Sequence, residues 1–330
     1  MAKLSDKYIA GFLDSDGSVQ IMYRYPTRDK SDSTQMRVYV GIEFTQLSKR
    51  DEVLHKIQEA IGGKLYFSEE RAATTLKLFG KPAVMCLSRI RKHLVIKRHY
   101  ANIALDMAGK IVNRKEATKQ LKAERRRKSL PLPNYPSRKW MAGYIDGDGC
   151  FGVRVPKGRS SAQITLEATS SDYDSEGIEL IQKAFGGSIS IGGKRRNLRS
   201  LTITMPPSKA EQILSHCGKY LTIKKTQADF ILGCARMGHY RDGKSIQATV
   251  KQLKSQPHRL NEPKPGVSQL LENVDGSIET RAEKGLKSFL GNGGCIQCGN
   301  KSHYSDGVCR KCYDSNRRKV MRQSELAEAS

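Results

Sequence analysis

The sequence predicts an α+β protein: two tandem, pseudo-symmetric domains of αββαββα type with antiparallel sheets, followed by a small C-terminal cysteine module. Three observations carry this expectation. A nine-residue segment occurs twice, two shorter segments recur after it in the same order, and the stretches between them alternate β-branched or aromatic residues with polar ones. At 330 residues the chain has room for about two domains of ordinary size.

The first repeat pairs IAGFLDSDG at residues 9–17 with MAGYIDGDG at residues 141–149, five of nine positions identical at an offset of 132. The second pairs KIQEAIGG (56–63) with LIQKAFGG (180–187), at an offset of 124. The third pairs LVIK (94–97) and Ala101 with LTIK (221–224) and Ala228, at an offset of 127. Offsets this nearly constant imply two copies of one unit of ~100–120 residues.

Each copy reads in the same order. The duplicated nonamer is an apolar helix that ends at Asp-x-Asp-Gly. Strands are expected near 18–28 and 36–46 in the first copy and near 150–156 and 162–168 in the second, with Val38, Val40, Ile42 and Phe44 marking one face. Helices over 50–61 and 175–185 stop at Gly-Gly, a C-cap signal. Short strands follow around 64–67 and 75–79, matched by 188–191 and 201–205. A helix then starts after Pro82 or Pro207, and another after Lys97 or Lys224. The first domain is thus expected over residues 1–122 and the second over 138–240. Residues 123–137, with Arg125-Arg126-Arg127-Lys128 and three prolines, read as a basic linker. Residues 241–294 are polar and read as an extended or partly disordered tether. Residues 295–330 hold the cysteine module and a basic helix.

Lys and Arg number 58 against 33 Asp and Glu, a formal charge of +25. That excess points to a polyanionic partner, nucleic acid first and an acidic membrane surface second. No stretch approaches the ~18 consecutive apolar residues of a membrane span. The N-terminal segment shows no secretory apolar region and no Arg-rich presequence, so the protein is expected inside the cell or organelle that translates it. Cys86, Cys150, Cys217 and Cys234 are scattered and read as small buried hydrophobes, which fits a reducing compartment.

The duplicated helix is where chemistry is expected. Ala10-Gly11 and Ala142-Gly143 remove side-chain bulk, which lets two helices cross with their backbones close. If each helix packs on its duplicate, Asp14 and Asp16 meet Asp146 and Asp148 at one interface. A carboxylate at a helix C-terminus opposes the macrodipole by about 0.3–1 kcal/mol, and two close carboxylates repel and raise one pKa. Divalent cations remove both penalties, and Mg²⁺ takes one or two carboxylates together with substrate phosphates. In a chain this basic, paired acids and metal suggest phosphodiester hydrolysis. A single Asp-x-Asp-Gly would be no more than a helix-ending turn; its duplication at the same place in each copy argues for the site.

With these residues in view, the two nonamers resemble the LAGLIDADG motif of homing endonucleases, in the two-motif, single-chain form, over about residues 5–235. The resemblance implies that the eighth motif position, Asp16 and Asp148, supplies the metal-binding catalytic acids. It implies that the preceding residues, Ser15 and Gly147, offer backbone carbonyls to the metal, and that Asp14 and Asp146 support the helix ends. Lys97 and Lys224 match lysines placed beside the attacking water, where their charge stabilises the developing phosphorane. Gln46 matches a water-positioning glutamine, whereas the second copy has Ser170 nearest that place, so the halves need not cut at equal rates.

In that fold each sheet enters the major groove, where every base pair is distinguishable. The long polar strand and loop residues Gln20, Tyr23, Arg24, Arg28, Arg37, Glu43 and Lys77 are then expected to contact DNA from the first copy. Arg154, Lys157, Arg159, Gln163, Arg195, Arg196, Asn197 and Arg199 are expected to do so from the second. The alternative for these residues is a merely solvated sheet face. Because the two sets differ, the target should be asymmetric.

Cys295-x₂-Cys298-x₁₀-Cys309-x₂-Cys312 consists of two chelating pairs, the spacing of one structural Zn²⁺ site; two disulfides or redox use are the alternatives. His303 reads as a loop residue rather than a ligand. Arg310, Lys311, Arg317 and Arg318 flank the cysteines and suggest a tethered DNA anchor, against a simple stability cap. Together these features predict a monomeric, Mg²⁺-dependent, site-specific endonuclease that cuts both strands of a long duplex target. Short 3′ overhangs are implied by the resemblance. The alternatives are a group I intron maturase binding RNA on the same scaffold, and a DNA-binding regulator without catalysis; the intact acids and lysines argue against the latter.

Overall fold

The computed structural model describes residues 3–24, 35–113, 115–119, 133–155, 157, 163–171, 176–191, 198–205, 207–236 and 243–255. The chain divides into compact units at 1–267 and 268–330, and all described residues belong to the first. The cysteine module, including Cys295, Cys298, Cys309 and Cys312, lies outside the described residues, as does most of the 123–137 linker.

The first half begins with α1 (Asp6–Asp14), started by Ser5, whose hydroxyl accepts from the Tyr8 amide at 3.4 Å. β1 (Gly17–Arg24), β2 (Gln35–Leu47), β3 (Lys64–Ser68) and β4 (Ala73–Phe79) follow, with α2 (Glu52–Ile61) between β2 and β3. Next come α3 (Lys81–Ile90), carrying Pro82 in its first turn, α4 (Arg98–Met107), and a short β5 (Ile111–Asn113). The sheet order is β1-β2-β4-β3, all antiparallel, and β5 extends it by pairing with the start of β2.

The second half repeats this plan. α5 (Arg138–Gly147) leads into β6 (Gly149–Arg154), β7 (Gln163–Ser171), α6 (Glu176–Phe185), β8 (Ser188–Ile191) and β9 (Leu198–Met205). α7 (Pro207–Cys217) and α8 (Lys225–Arg236) follow, and the sheet order is β6-β7-β9-β8. The duplication extends to the caps. Gly62 and Gly186 end α2 and α6 at φ +76° and +75°, a backbone that L side chains resist. Behind them Gln58 and Gln182 each donate to the carbonyl of the second glycine, Gly63 or Gly187.

Side-chain alternation sorts each sheet into two faces. Val19, Val38, Val40, Ile42, Phe44, Leu76 and Leu78 are buried beneath the helices, as are Phe151, Ile164, Leu166 and Ile203 in the second sheet. Cys86, Cys217 and Cys234 are buried as expected, while Cys150 is only half-buried. Burial pushes the thiols of Cys86 and Cys217 up to about 12.

One stretch departs from the sequence expectation. Residues 243–255, read as part of a polar tether, form a helix, α9 (Gly243–Ser255), packed on β6 and α8. Composition hid it, because only Ile246, Val250 and Leu253 are large and apolar. Their helical spacing puts all three on one buried face, each no more than 2% exposed.

The halves join through α1 and α5. A Cβ on Gly11 would run into the carbonyl oxygen of Trp140 and stand 2.9 Å from the amide nitrogen of Tyr144. Reciprocally, a Cβ on Gly143 would strike the Tyr8 carbonyl and stand 2.9 Å from the amide of Phe12. These neighbours are backbone and cannot swing away. Ala is favoured over Gly inside a helix by about 1 kcal/mol, but overpacking costs about 1–3 kcal/mol and here has no outlet. Gly11→Ala is therefore expected to destabilise the protein by about 2 kcal/mol in urea denaturation; equal or greater stability contradicts this packing.

Candidate active site

The α1–α5 crossing brings the two helix ends together. Space for a Cβ at Gly147 is filled by the side chain of Ser15, and the Asp16 amide nitrogen lies 3.1 Å from that position. Just past each helix end stand Asp16 and Asp148, both half-buried, with their carboxyl groups hydrogen-bonded to each other. Burial raises the pKa of Asp148 to about 7, helped by the charge of Asp16 and opposed by Lys97 and Lys224. Burial also raises Asp16, opposed by Lys224, Lys97 and the hydrogen bond from Asp148. The pair therefore retains a proton over the range in which isolated carboxyls have lost theirs. Gln46, at the end of β2, donates its amide N–H to Asp16 Oδ2, so the glutamine does meet the first acid.

The other duplicated acids are structural anchors. Asp14 accepts from the amides of Val95 (2.7 Å) and Lys97 (2.8 Å), and Asp146 from those of Thr222 (2.5 Å) and Lys224 (2.9 Å). Each also accepts from an aromatic of the opposite half. Trp140 Nε1 donates to Asp14 at 2.8 Å, and the Tyr8 hydroxyl donates to Asp146 at 2.6 Å. Residues 8 and 140 occupy corresponding places, so the anchoring is exchanged between halves.

Those anchored turns deliver the two lysines. Lys97 Nζ donates to the carbonyls of Leu13 (2.8 Å), Asp14 (2.8 Å), Ser15 (3.0 Å) and Gly17 (2.8 Å). Lys224 Nζ donates to those of Ile145 (2.6 Å), Asp146 (2.7 Å) and Gly147 (3.0 Å). Each ammonium thus sits on carbonyls that have no partner inside their helix, the favourable place for a cation. Burial lowers the pKa of Lys224, opposed by Asp146 and Asp16. The carbonyls of Ser15 and Gly147 accept from these lysines while flanking the acid pair.

Sequence reasoning missed Arg50. It lies on the 3-10 turn after β2, and its charge acts on both Asp16 and Lys224. Its Nη2 donates to the carbonyl of Lys254 at 2.7 Å, so α9 holds it from 204 residues further along the chain. Its Nε is buried and has no hydrogen-bond partner among the described residues. The only sequence signal was an arginine four residues past Gln46. The anchoring roles of Tyr8 and Trp140 carried no signal beyond their corresponding positions.

The outward face of the first sheet gathers several predicted DNA contacts. Gln20, Arg24, Glu43 and Lys77 line one groove of about 620 Å³, together with Met22, Tyr66 and Phe79. Arg37 is exposed on the same face, opposite Arg24. Tyr23 is a correction: it pairs with the buried Val38, and its hydroxyl is buried on the helix-covered side. Strand alternation cannot put both Tyr23 and Arg24 on one face. In the second sheet Arg154 stands opposite Gln163 on the outward face, and Lys157 is exposed beyond β6. Arg199 is placed on β9 opposite Ser170. Arg28, Arg159, Arg195, Arg196, Asn197, Arg310, Lys311, Arg317 and Arg318 lie outside the described residues.

The family model for the LAGLIDADG endonuclease matches residues 9–83 and 141–236, together just over half of the chain and including both helix ends. The chain belongs to the LAGLIDADG endonuclease family. Among solved structures it is similar to the LAGLIDADG meganuclease I-AabMI bound to uncleaved DNA, at 17% identity and TM-score 0.53, covering 78% of this chain and 100% of that one. It is similar to meganuclease I-SmaMI bound to uncleaveable DNA, at 15% identity and TM-score 0.56, covering 77% and 98%. It is also similar to the LAGLIDADG homing endonuclease I-GzeII in complex with its DNA target, at 14% identity and TM-score 0.55, covering 78% and 100%. At these identities the likeness is one of fold. No curated protein sequence matches the chain.

The LAGLIDADG acids make a test of the shared proton possible. A carboxyl whose folded pKa is raised binds a proton that the unfolded chain releases near the ordinary value of 3.8. Its stabilising contribution is complete below about pH 4 and is lost as pH rises towards about 7. In chelator, Asp148→Asn is therefore expected to flatten the fall of Tm between about pH 4 and 7. An unchanged slope contradicts the assignment.

Proposed function

We propose that this LAGLIDADG protein is a site-specific endonuclease that cuts both strands of a long, asymmetric DNA duplex and leaves short 3′ overhangs. The observation that carries the reading is the meeting of Asp16 and Asp148 at touching helix ends, in a family of endonucleases. The DNA-bound state of the similar structures favours the nuclease over an RNA-binding intron maturase. Among the described residues no helix is long and apolar enough to cross a membrane, and the basic charge of +25 suits a polyanionic duplex. We read the protein as a monomer acting inside the cell or organelle that encodes it.

The residues fit divalent cations. Two half-buried carboxyls that share a proton are a costly arrangement which a cation relieves, and oxygen ligands of this kind suit Mg²⁺. No cluster of three or more His, Cys, Asp or Glu forms among the described residues, so carboxylates alone do not complete a shell. Asp16 and Asp148 would hold the ions, with the carbonyls of Ser15 and Gly147 beside them. Bound there, Mg²⁺ would supply Lewis acidity for phosphodiester hydrolysis.

The remaining roles fall to the chain itself. Lys97 and Lys224 hold the helix-end carbonyls in place and set positive charge beside the scissile phosphate, where negative charge develops. Gln46 fixes the rotamer of Asp16 and has no described counterpart on Asp148, which supports unequal cutting of the two strands. Arg50 adds a third cation on the side of the first half.

In the C-terminal unit we assign Cys295, Cys298, Cys309 and Cys312 to one structural Zn²⁺, with the flanking basic residues serving as a second DNA contact. Elemental analysis of the purified chain should return one zinc per molecule. Loss of that zinc on Cys309→Ser is expected, and zinc retained in that variant contradicts the site.

Asp16→Asn and Asp148→Asn are each expected to lower cleavage of cognate duplex by at least about 10³-fold, while binding by gel shift stays within about threefold. Chelation of divalent cations should do the same to the unaltered chain. Binding lost together with cleavage points to a folding role for the acids instead.

A further inference from the structure

On the outward face of the first sheet, Arg24 of β1 and Arg37 of β2 stand directly opposite each other. Like charges so placed repel. Arg24 is drawn aside over an aromatic layer: its Cζ lies 4.7 Å from the Phe79 ring centroid and 5.8 Å from that of Tyr39. The two rings are stacked, with centroids 5.5 Å apart and planes 18° from parallel. Beside it Gly41, the strand partner of Phe79, leaves room for Met22, whose methyl would stand 2.7 Å from a Cβ there.

The carboxylate of the same groove is engaged elsewhere, because Glu43 pairs with Lys77 at 2.8 Å. Among the described residues Arg24 has no carboxylate partner, and its side chain is exposed. A guanidinium stacked over a ring gives up torsional freedom but keeps its N–H edge turned outward. That edge matches the paired N7 and O6 acceptors that guanine shows in the major groove.

The geometry points to Arg24 as the side chain that reads a guanine in the half-site bound by the first sheet, with Phe79 and Tyr39 as positioning residues. The inference rests on the nuclease reading above and names one base of its substrate. β1 carries the chain away from the acid pair by about 26 Å, at ~3.3 Å per residue. The guanine therefore lies within about eight base pairs of the centre of the target, at ~3.4 Å per step. At the 132-residue offset of the repeated nonamer Arg24 corresponds to Pro156, so no guanidinium occupies the equivalent sequence position of the second half and the preference belongs to one half-site.

The test is selection from a library of random-sequence duplexes by the full chain carrying Asp16→Asn, with and without changes at Arg24 and Phe79. The parent should enrich guanine at one position of one half-site. Arg24→Gln should move that position to adenine by about tenfold or more and leave every other position as it was. Arg24→Lys should weaken the guanine preference, because an ammonium keeps the charge but not the planar fork. Phe79→Leu should weaken it several-fold while thermal melting stays near that of the parent. If Arg24→Gln instead lowers affinity equally for all duplexes and reduces the salt dependence by about one phosphate contact, Arg24 touches backbone and the inference is overturned. The nuclease reading survives that outcome. It does not survive a failure of the unsubstituted chain to enrich or cleave any duplex, which removes both.

Discussion

The close crossing of α1 on α5 sets the rest of the structure. Two helices can approach until the backbone of one fills the Cβ position of the other only where both present glycine, and Gly11 and Gly143 do so reciprocally. At that separation the chain directions leave no choice about what meets at the end. Ser15 touches Gly147, and the carboxyls of Asp16 and Asp148 share a hydrogen bond. The acid pair is thus a consequence of the way the halves dock.

Such a junction concentrates negative charge where the helix dipoles already oppose it, and the surroundings offset this in two ways. Lys97 and Lys224 place ammonium groups on the last carbonyls of α1 and α5, turning two unfavourable ends into tolerable ones. Asp14 and Asp146, fully buried, hold the turns that carry those lysines, and they are themselves held by Trp140 and Tyr8 of the opposite half. Each half therefore supplies a group that orients the cation of the other. Removing the Trp140 or Tyr8 donor alone would leave its carboxylate short of a hydrogen bond in the interior, a loss of about 1–3 kcal/mol. Interface, caps and site form one connected device.

Much of this was legible in the sequence because it was written twice. The repeated nonamer, the Gly-Gly stops after α2 and α6, and the four-residue segment ending at each lysine all fell at corresponding places, and duplication turned weak local signals into strong ones. What was not legible has physical causes. Tyr23 was misplaced because residue type was weighed ahead of strand parity, which puts Gln20 and Arg24 on one face and Tyr23 on the other. The helix over Gly243–Ser255 was hidden by a polar composition, since three apolar residues at helical spacing suffice to seat it. Arg50 came into view only through its carbonyl partner 204 residues away, a contact no local pattern can announce.

The central claim is that Asp16 and Asp148 behave as one titrating unit. Its most direct test is a ¹³C NMR titration of the side-chain carboxyl carbons of these two residues in cation-free protein. Coupling predicts that each resonance shows both steps of the pair, with one step near pH 7. Two independent single-step curves at ordinary carboxylate values would mean that the acids stand apart, and would contradict the account.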